Sequence, residues 1–223
     1  MKLEMKQPRM RICDIKTEEI WEIYNIRGRF REYVYGGVPA DPQILEGHLA
    51  RKGLVMTQME TAKEMHEKTM ELETVEGQLQ STTNVFYADD IGVYLCDYQL
   101  IGAVKEATAR TGYLPAWRSK IQNGLRVEPA KIYLKRDGQV IKSFDGYEQS
   151  VIHTEIRGSP ITSIKRMAYI DRPEFEASIW VVKNGGRPLI DEITMTKVLA
   201  ISQELGLGAM RRMGKGKWDA EYI

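Results

Sequence analysis

The sequence is poor in the residues that build metal, redox and hydrolytic centres. Its 223 residues include two cysteines, Cys13 and Cys96, far apart and outside any CxxC or Cys/His cluster. That spacing argues against a structural zinc site and against a disulfide framework. The three histidines, His48, His66 and His153, are scattered. No metal site and no cofactor is expected. No apolar run approaches the roughly 20 residues that span a bilayer. Residues 1–16 carry charges throughout and lack the apolar centre of a secretory signal. A cytoplasmic protein with no membrane partner is the expectation. Net charge is scarce as well, at +1 with a pI near 7.7. A uniformly basic coat is therefore excluded, and any anion site must arise from local clustering. There is no internal repeat and no low-complexity segment.

With 43% hydrophobic and 28% charged residues, the chain has enough apolar material for one core. Charge is unevenly spread: residues 57–80 are rich in glutamate, while 110–126 and 206–218 are basic. Residues 20–35 alternate apolar and polar positions and predict one long strand. Ile20, Glu22, Tyr24, Ile26, Gly28 and Phe30 share one face. Arg27, Arg29 and Arg31 lie on the other, either as an anion-binding strip or, more commonly for such patterns, as a solvated sheet face.

Asp41-Pro42 opens a predicted helix that Gly53 stops, with His48 on its apolar side. Residues 54–77 form a Met/Glu/Lys-rich helix with a weak apolar stripe, suited to gap filling or to a partner. Together, residues 38–84 read as a helical insertion. Short strands are expected at Val85-Phe86-Tyr87 and Val93–Cys96, around an Asp89-Asp90 turn. A helix is expected over Asp97–Thr111, capped by Asp97. Residues 113–126 interleave aromatic and basic side chains. Trp117, Arg118 and Lys120 there suit unstacked bases, although an anchored loop explains them equally well.

A hairpin follows over 127–134 and 139–144, with Arg136-Asp137-Gly138 as its turn. Next come an extended segment at 147–156, a turn at Arg157–Pro160, and a stretch from Ile161 to Tyr169 carrying Lys165 and Arg166. A strand at 176–182, a helix from Asp191 to Leu205 and a closing strand at 217–223 complete the chain. Without the insertion, the order is strand, helix, two strands, helix, strand. The expected fold is α+β: an elaborated ferredoxin-like or RRM-like βαββαβ domain spanning 1–223, with the 38–84 insertion inside it.

The densest signal is Gly206-Leu207-Gly208-Ala209-Met210-Arg211-Arg212-Met213-Gly214-Lys215-Gly216-Lys217-Trp218. Glycine provides positive φ or close backbone approach. Four cations in one glycine-rich loop fit a phosphate chain. A helix stop followed by a glycine-softened turn fits the glycines as well.

This stretch resembles the C-terminal loop of the RAMP superfamily of CRISPR-associated proteins. In that family a glycine, a hydrophobic residue and a glycine precede five residues with Arg or Lys, and glycine, any residue and glycine follow. Gly206, Leu207 and Gly208 open the match, Arg211 and Arg212 lie in the middle, and Gly214, Lys215 and Gly216 close it. The outline around Arg27, Gly36-Gly37-Val38-Pro39 and Asp41-Pro42 is similar to proteins of bacterial viruses. The resemblance implies either a CRISPR subunit or a stand-alone phage-encoded relative acting in the host cytoplasm.

It also implies RNA or single-stranded DNA as partner, with self-association or other RAMP-like subunits; it does not by itself imply cleavage, and no catalytic residue is assigned. The implied contacts are Gly206, Gly208, Arg211, Arg212, Gly214, Lys215, Gly216 and Lys217, extended by Trp117, Arg118, Lys120, Lys165 and Arg166. One alternative is a metal-independent endoribonuclease using His48 or His153 with a loop cation. Another is a phage structural or regulatory protein that makes its contact through residues 54–77.

Overall fold

The computed structural model describes residues 16–40, 83–111, 123–156 and 159–223, with backbone only for 152–156 and 159–164. The class is α+β. A short helix α1 (Thr17–Ile20) leads into β1 (Trp21–Phe30). β1 pairs antiparallel with β13 (Glu174–Asn184), from Trp21↔Val182 to Arg29↔Glu174. Its other edge pairs antiparallel with β15 (Trp218–Tyr222), from Ile26↔Tyr222 to Phe30↔Trp218. β7 (Leu125–Glu128) joins the far edge of β13, and β14 (Arg187–Pro188) pairs with the end of β13. The spatial order is thus β7-β13-β1-β15, antiparallel throughout. Two helices, α2 (Asp97–Arg110) and α3 (Glu192–Leu205), connect β1 to β7 and β13 to β15.

Both helices pack on one face of this sheet because the strands alternate. Tyr24, Ile26 and Phe30 of β1 and Phe175, Ala177, Ile179 and Val181 of β13 are buried there. They meet Leu100, Ala103, Val104 and Ala107 of α2 and Met195, Val198 and Leu199 of α3. Fully burying an aliphatic or aromatic side chain of this kind contributes about 1.5–3 kcal/mol. Gly28 sits on the inward face, where an added Cβ would meet Phe175 at 2.2 Å and Trp218 at 2.9 Å. The missing side chain lets both rings lie against the strand.

The predicted long strand over 20–35 is two strands in two sheets. β1 ends at Phe30, and β2 (Tyr33–Tyr35) pairs with β12 (Ser159–Asp171) in a second sheet. The break comes where Arg31 and Glu32 bend the chain out of the first sheet. β12 forms a long hairpin with β11 (Gly146–Ile156) and lies parallel to β4 (Thr83–Val85). β4 in turn pairs with β3 (Val38–Pro39). The expected strand 85–87 is likewise divided, since β5 (Tyr87–Ala88) belongs to a third sheet with β6 (Val93–Cys96) and β8 (Lys131–Tyr133).

The hairpin expected over 127–144 shrinks to β9 (Lys135–Arg136) and β10 (Gln139–Val140). Asp137 and Gly138, at φ of 52° and 76°, make its turn. The strand residues before it are used elsewhere, by β7 in the first sheet and β8 in the third. At α2, Cys96 rather than Asp97 holds the N-cap position. Gln99 Oε1 accepts from the Cys96 N–H at 2.9 Å, while Asp97 accepts only from the neighbouring Tyr98 N–H. The readings at 41–53 and 54–77, with His48 and His66, lie outside the described residues.

Candidate nucleic-acid interface

The glycine loop begins where α3 stops. Gly206 caps the helix at φ 78°, its N–H donating to Ser202 O at 3.0 Å. The chain then runs back on itself: Leu207 N–H donates to Gly216 O at 2.9 Å, and Ala209 N–H to Tyr35 O at 2.9 Å. Leu207 is buried in the main core. A Cβ on Gly216 would lie 2.0 Å from Leu207 O, one on Gly206 2.5 Å from Lys215 O, and one on Gly208 2.7 Å from Tyr35 O. Three of the four motif glycines therefore let backbone touch backbone. Gly214 differs, since an added Cβ there meets nothing within 4 Å.

The glycines build a tip rather than line a groove. Met210 adopts φ 59°, and Arg211–Met213 forms one turn of 3-10 helix ended by Gly214 at φ 75°. Among the described residues, the N–H groups of Met210, Arg211 and Arg212 have no acceptor. The loop cations divide into two pairs. Arg211 Nη1 lies 3.3 Å from Glu106 Oε2, and Lys217 Nζ 2.8 Å from Glu204 Oε2. Arg212 and Lys215 have no carboxylate partner among the described residues. The Lys215 ammonium instead stands 5.9 Å from the Tyr35 ring centre.

The arginines at 27, 29 and 31 are spent within the protein. Arg27 pairs with Glu176 at 2.9 Å and Glu221 at 3.2 Å. Arg29 pairs with Glu174 at 3.1 Å and Glu221 at 3.6 Å. Arg31 contacts Glu204 at 2.6 Å and Asp219 at 2.8 Å. Hydrogen bonds from Lys135 and then Arg27 hold Glu176 below the usual carboxylate range. Glu204 is lowered in the same way by Lys217 and then Arg31. This face is a solvated ion-pair lattice, the commoner of the two uses its sequence allowed.

Lys165 and Arg166 are consecutive on β12 and so face opposite sides of its sheet. Lys165 shares the face of Met167 and Tyr169. Arg166 lies on the other, its guanidinium 3.9 Å from the Tyr147 ring centre. Only Lys165 is on the side of Tyr35, four residues and ~13 Å along β12 from Tyr169, which pairs with Tyr35 at the loop's anchor. Trp117, Arg118 and Lys120 lie outside the described residues, as does the His153 side chain. Asp89 serves its turn, accepting from Ile91 and Gly92 N–H through one oxygen and from Lys131 and Tyr133 through the other. Cys96 is buried and free, with burial pushing its thiol up to about 12. Among the described residues no cluster of His, Cys, Asp or Glu could hold a metal ion, and no helix is long and apolar enough to cross a membrane.

Residue-by-residue reading missed the surroundings of the loop. Tyr33, Tyr35 and Tyr169 form a ring cluster beside it, with Tyr33 and Tyr169 centred 4.8 Å apart. The alternation Tyr33-Val34-Tyr35 was visible, but its pairing with β12 was not. Glu106 and Glu204, which engage half the loop cations, come from the two helices and carry no local signal.

No protein-family model matches the chain, and no curated protein matches it. Among solved structures, it is similar to a chain from the cryo-EM structure of a Type III-B Cmr-beta complex bound to cognate target RNA. The TM-score is 0.47 at 12% identity, over 92% of this chain and 61% of that one. The present chain thus spans under two thirds of that neighbour's length.

Proposed function

We propose that this protein binds RNA or single-stranded DNA through the tip of its glycine loop, in a RAMP-like manner and without cleaving it. The carrying observation is the loop tip at 210–215, exposed at 212–214. It joins two cations without a carboxylate partner among the described residues, Arg212 and Lys215, to three N–H groups without an acceptor there. Phosphate oxygens would complete both sets. The spacing of Gly206, Gly208, Gly214 and Gly216 supports the family reading, as does the β7-β13-β1-β15 order with both helices on one face. A ferredoxin-like or RRM-like domain would have such an order. The stretch between β3 and β4 is then an insertion within one such domain, and RAMP-like assembly on a shared strand follows from the same reading. The proposed place of action is the cytoplasm.

Contact through a few phosphates predicts weak dependence on base sequence and strong dependence on salt. Mobility shift of labelled single-stranded RNA and DNA across a salt titration tests this. Retarded strands, with affinity falling linearly on a log–log salt plot, are expected. Absence of any shift at low salt overturns the proposal.

A further inference from the structure

The tyrosine cluster beside the loop has a shape and position that the loop alone does not use. Tyr33 and Tyr35 project from one face of β2, because Val34 between them turns into the core. Tyr35 is wholly buried, and its hydroxyl donates to the Glu148 carboxylate, which fixes the ring. Tyr33 packs against Tyr169 at 4.8 Å and against Tyr35 at 6.3 Å, yet stays 38% exposed. A single exposed aromatic is ordinary. This one is held in place by two others, one of which, Tyr35, has the loop cation Lys215 over its ring. The ring separations bound the Lys215 ammonium to within about 12 Å of the Tyr33 ring centre. Lys165 extends the same face on the far side of Tyr169.

We propose that Tyr33 is a nucleobase-stacking position, taking a base from the strand whose phosphates lie on the glycine loop. This rests on the loop reading and adds to it a site for the base. Every nucleobase presents a π-face, so such a ring raises affinity without selecting a sequence. Tyr169 and Tyr35 hold the ring in position before the strand arrives, so little side-chain freedom is lost on binding. Two carboxylates lie on this face: Glu148, engaged by the Tyr35 hydroxyl, and Asp171, which faces Tyr33 across the ladder and pairs with Arg172 at 3.4 Å.

The test uses the full chain and two probes: a fluorescently labelled oligouridylate, and inorganic polyphosphate, which has the charge but no bases. Tyr33→Ala should bind oligouridylate about tenfold more weakly and polyphosphate as the unaltered protein does. Tyr33→Trp should retain oligouridylate binding. Unchanged polyphosphate binding also certifies that the Tyr33→Ala protein is folded. Oligouridylate binding untouched by Tyr33→Ala overturns the stacking role while leaving the loop reading standing. Loss of both probes in Tyr33→Ala, with Tyr33→Trp also defective, makes the ring a structural prop and overturns it too. Failure of the unaltered protein to bind either probe removes the loop reading and this inference together.

Discussion

Two basic regions of this molecule look alike as sequence and differ as structure. The strip along β1 and its exit has Arg27 and Arg29 on the strand and Arg31 just past its end, at alternate positions. The loop has Arg211, Arg212, Lys215 and Lys217 within seven residues. On the strip each arginine meets two carboxylates supplied by β13, β15 or α3. In the loop two of four cations are matched. The difference lies in the neighbours. A strand inside a sheet has a partner on each side, and here the facing positions are acidic. A loop tip has no facing strand to supply that complement. Cation density alone therefore does not mark an anion site, since on the strip every cation is matched by carboxylates.

The sharpest way to break this comparison is to remove the loop's geometry while leaving its charges. Gly216→Ala places a methyl group 2.0 Å from Leu207 O at a φ of 71°. It should destabilise the protein by roughly 2–4 kcal/mol, read as a lower midpoint in denaturant unfolding. A midpoint equal to that of the unaltered protein would mean that the 207–216 backbone contact is absent in solution. Gly214→Ala, with open space around it, should cost about 1–2 kcal/mol for its left-handed backbone alone.

The next effect separates the two regions directly. Arg212→Ala with Lys215→Ala should weaken single-stranded RNA binding by about tenfold or more and flatten its salt slope, with the melting curve unchanged. Arg27→Ala with Arg29→Ala removes as much formal charge, yet should leave RNA affinity nearly untouched. Equal losses from both pairs would show that total charge, not matching, governs binding.

A smaller effect probes the matched half of the loop. Glu106→Gln releases Arg211 from an ion pair whose partners are both partly exposed, so RNA affinity should rise about twofold. A fall in affinity instead would mean that Glu106 holds Arg211 in its binding position.

The mildest probe is acid. Burial works to raise Asp89, but hydrogen bonds from Lys131, Tyr133 and the Gly92 and Ile91 N–H groups outweigh it, leaving the group lowered. Glu176 is lowered by Lys135 and Arg27. For both, the folded value lies below the unfolded one. Their stabilisation is complete above the ordinary carboxylate range near pH 4 and is lost as pH falls through the lowered values. Chemical denaturation between pH 7 and 2 should show stability falling only at the acid end, and Asp89→Asn should reduce that fall.

Much of the fold was legible where one strong periodicity ran unbroken. The alternation of β13 from Phe175 to Val181 and the stretch from Asp191 to Gly206 correspond closely to what formed. What escaped was any place where one apparent run serves two sheets. Residues 20–35 alternate without interruption, yet the chain leaves the first sheet after Phe30 and joins β12 at Tyr33. Period alone does not record which strand lies alongside. The candidate site divides in the same way. The glycine spacing marked the loop, and at three of its glycines backbone lies against backbone. Lys165 and Arg166, adjacent in sequence, were separated by the sheet between them. The tyrosines next to the loop come from β2 and β12, more than 130 residues apart, and no local pattern joins them.

The pairing of β3 with β4 has a consequence for how this chain can vary. Val38 faces Val85 and Pro39 faces Asn84 across that ladder, so the backbone leaving at residue 40 and returning at 83 does so through one narrow doorway. Whatever passes through that doorway leaves the ladder itself in place. Lengthening a connection costs only about 0.6 kcal/mol per doubling, so the same ladder would accept a longer or shorter intervening chain at small cost. This is a ready cassette position, where a tight turn or a foreign module would be accepted by the same two strands.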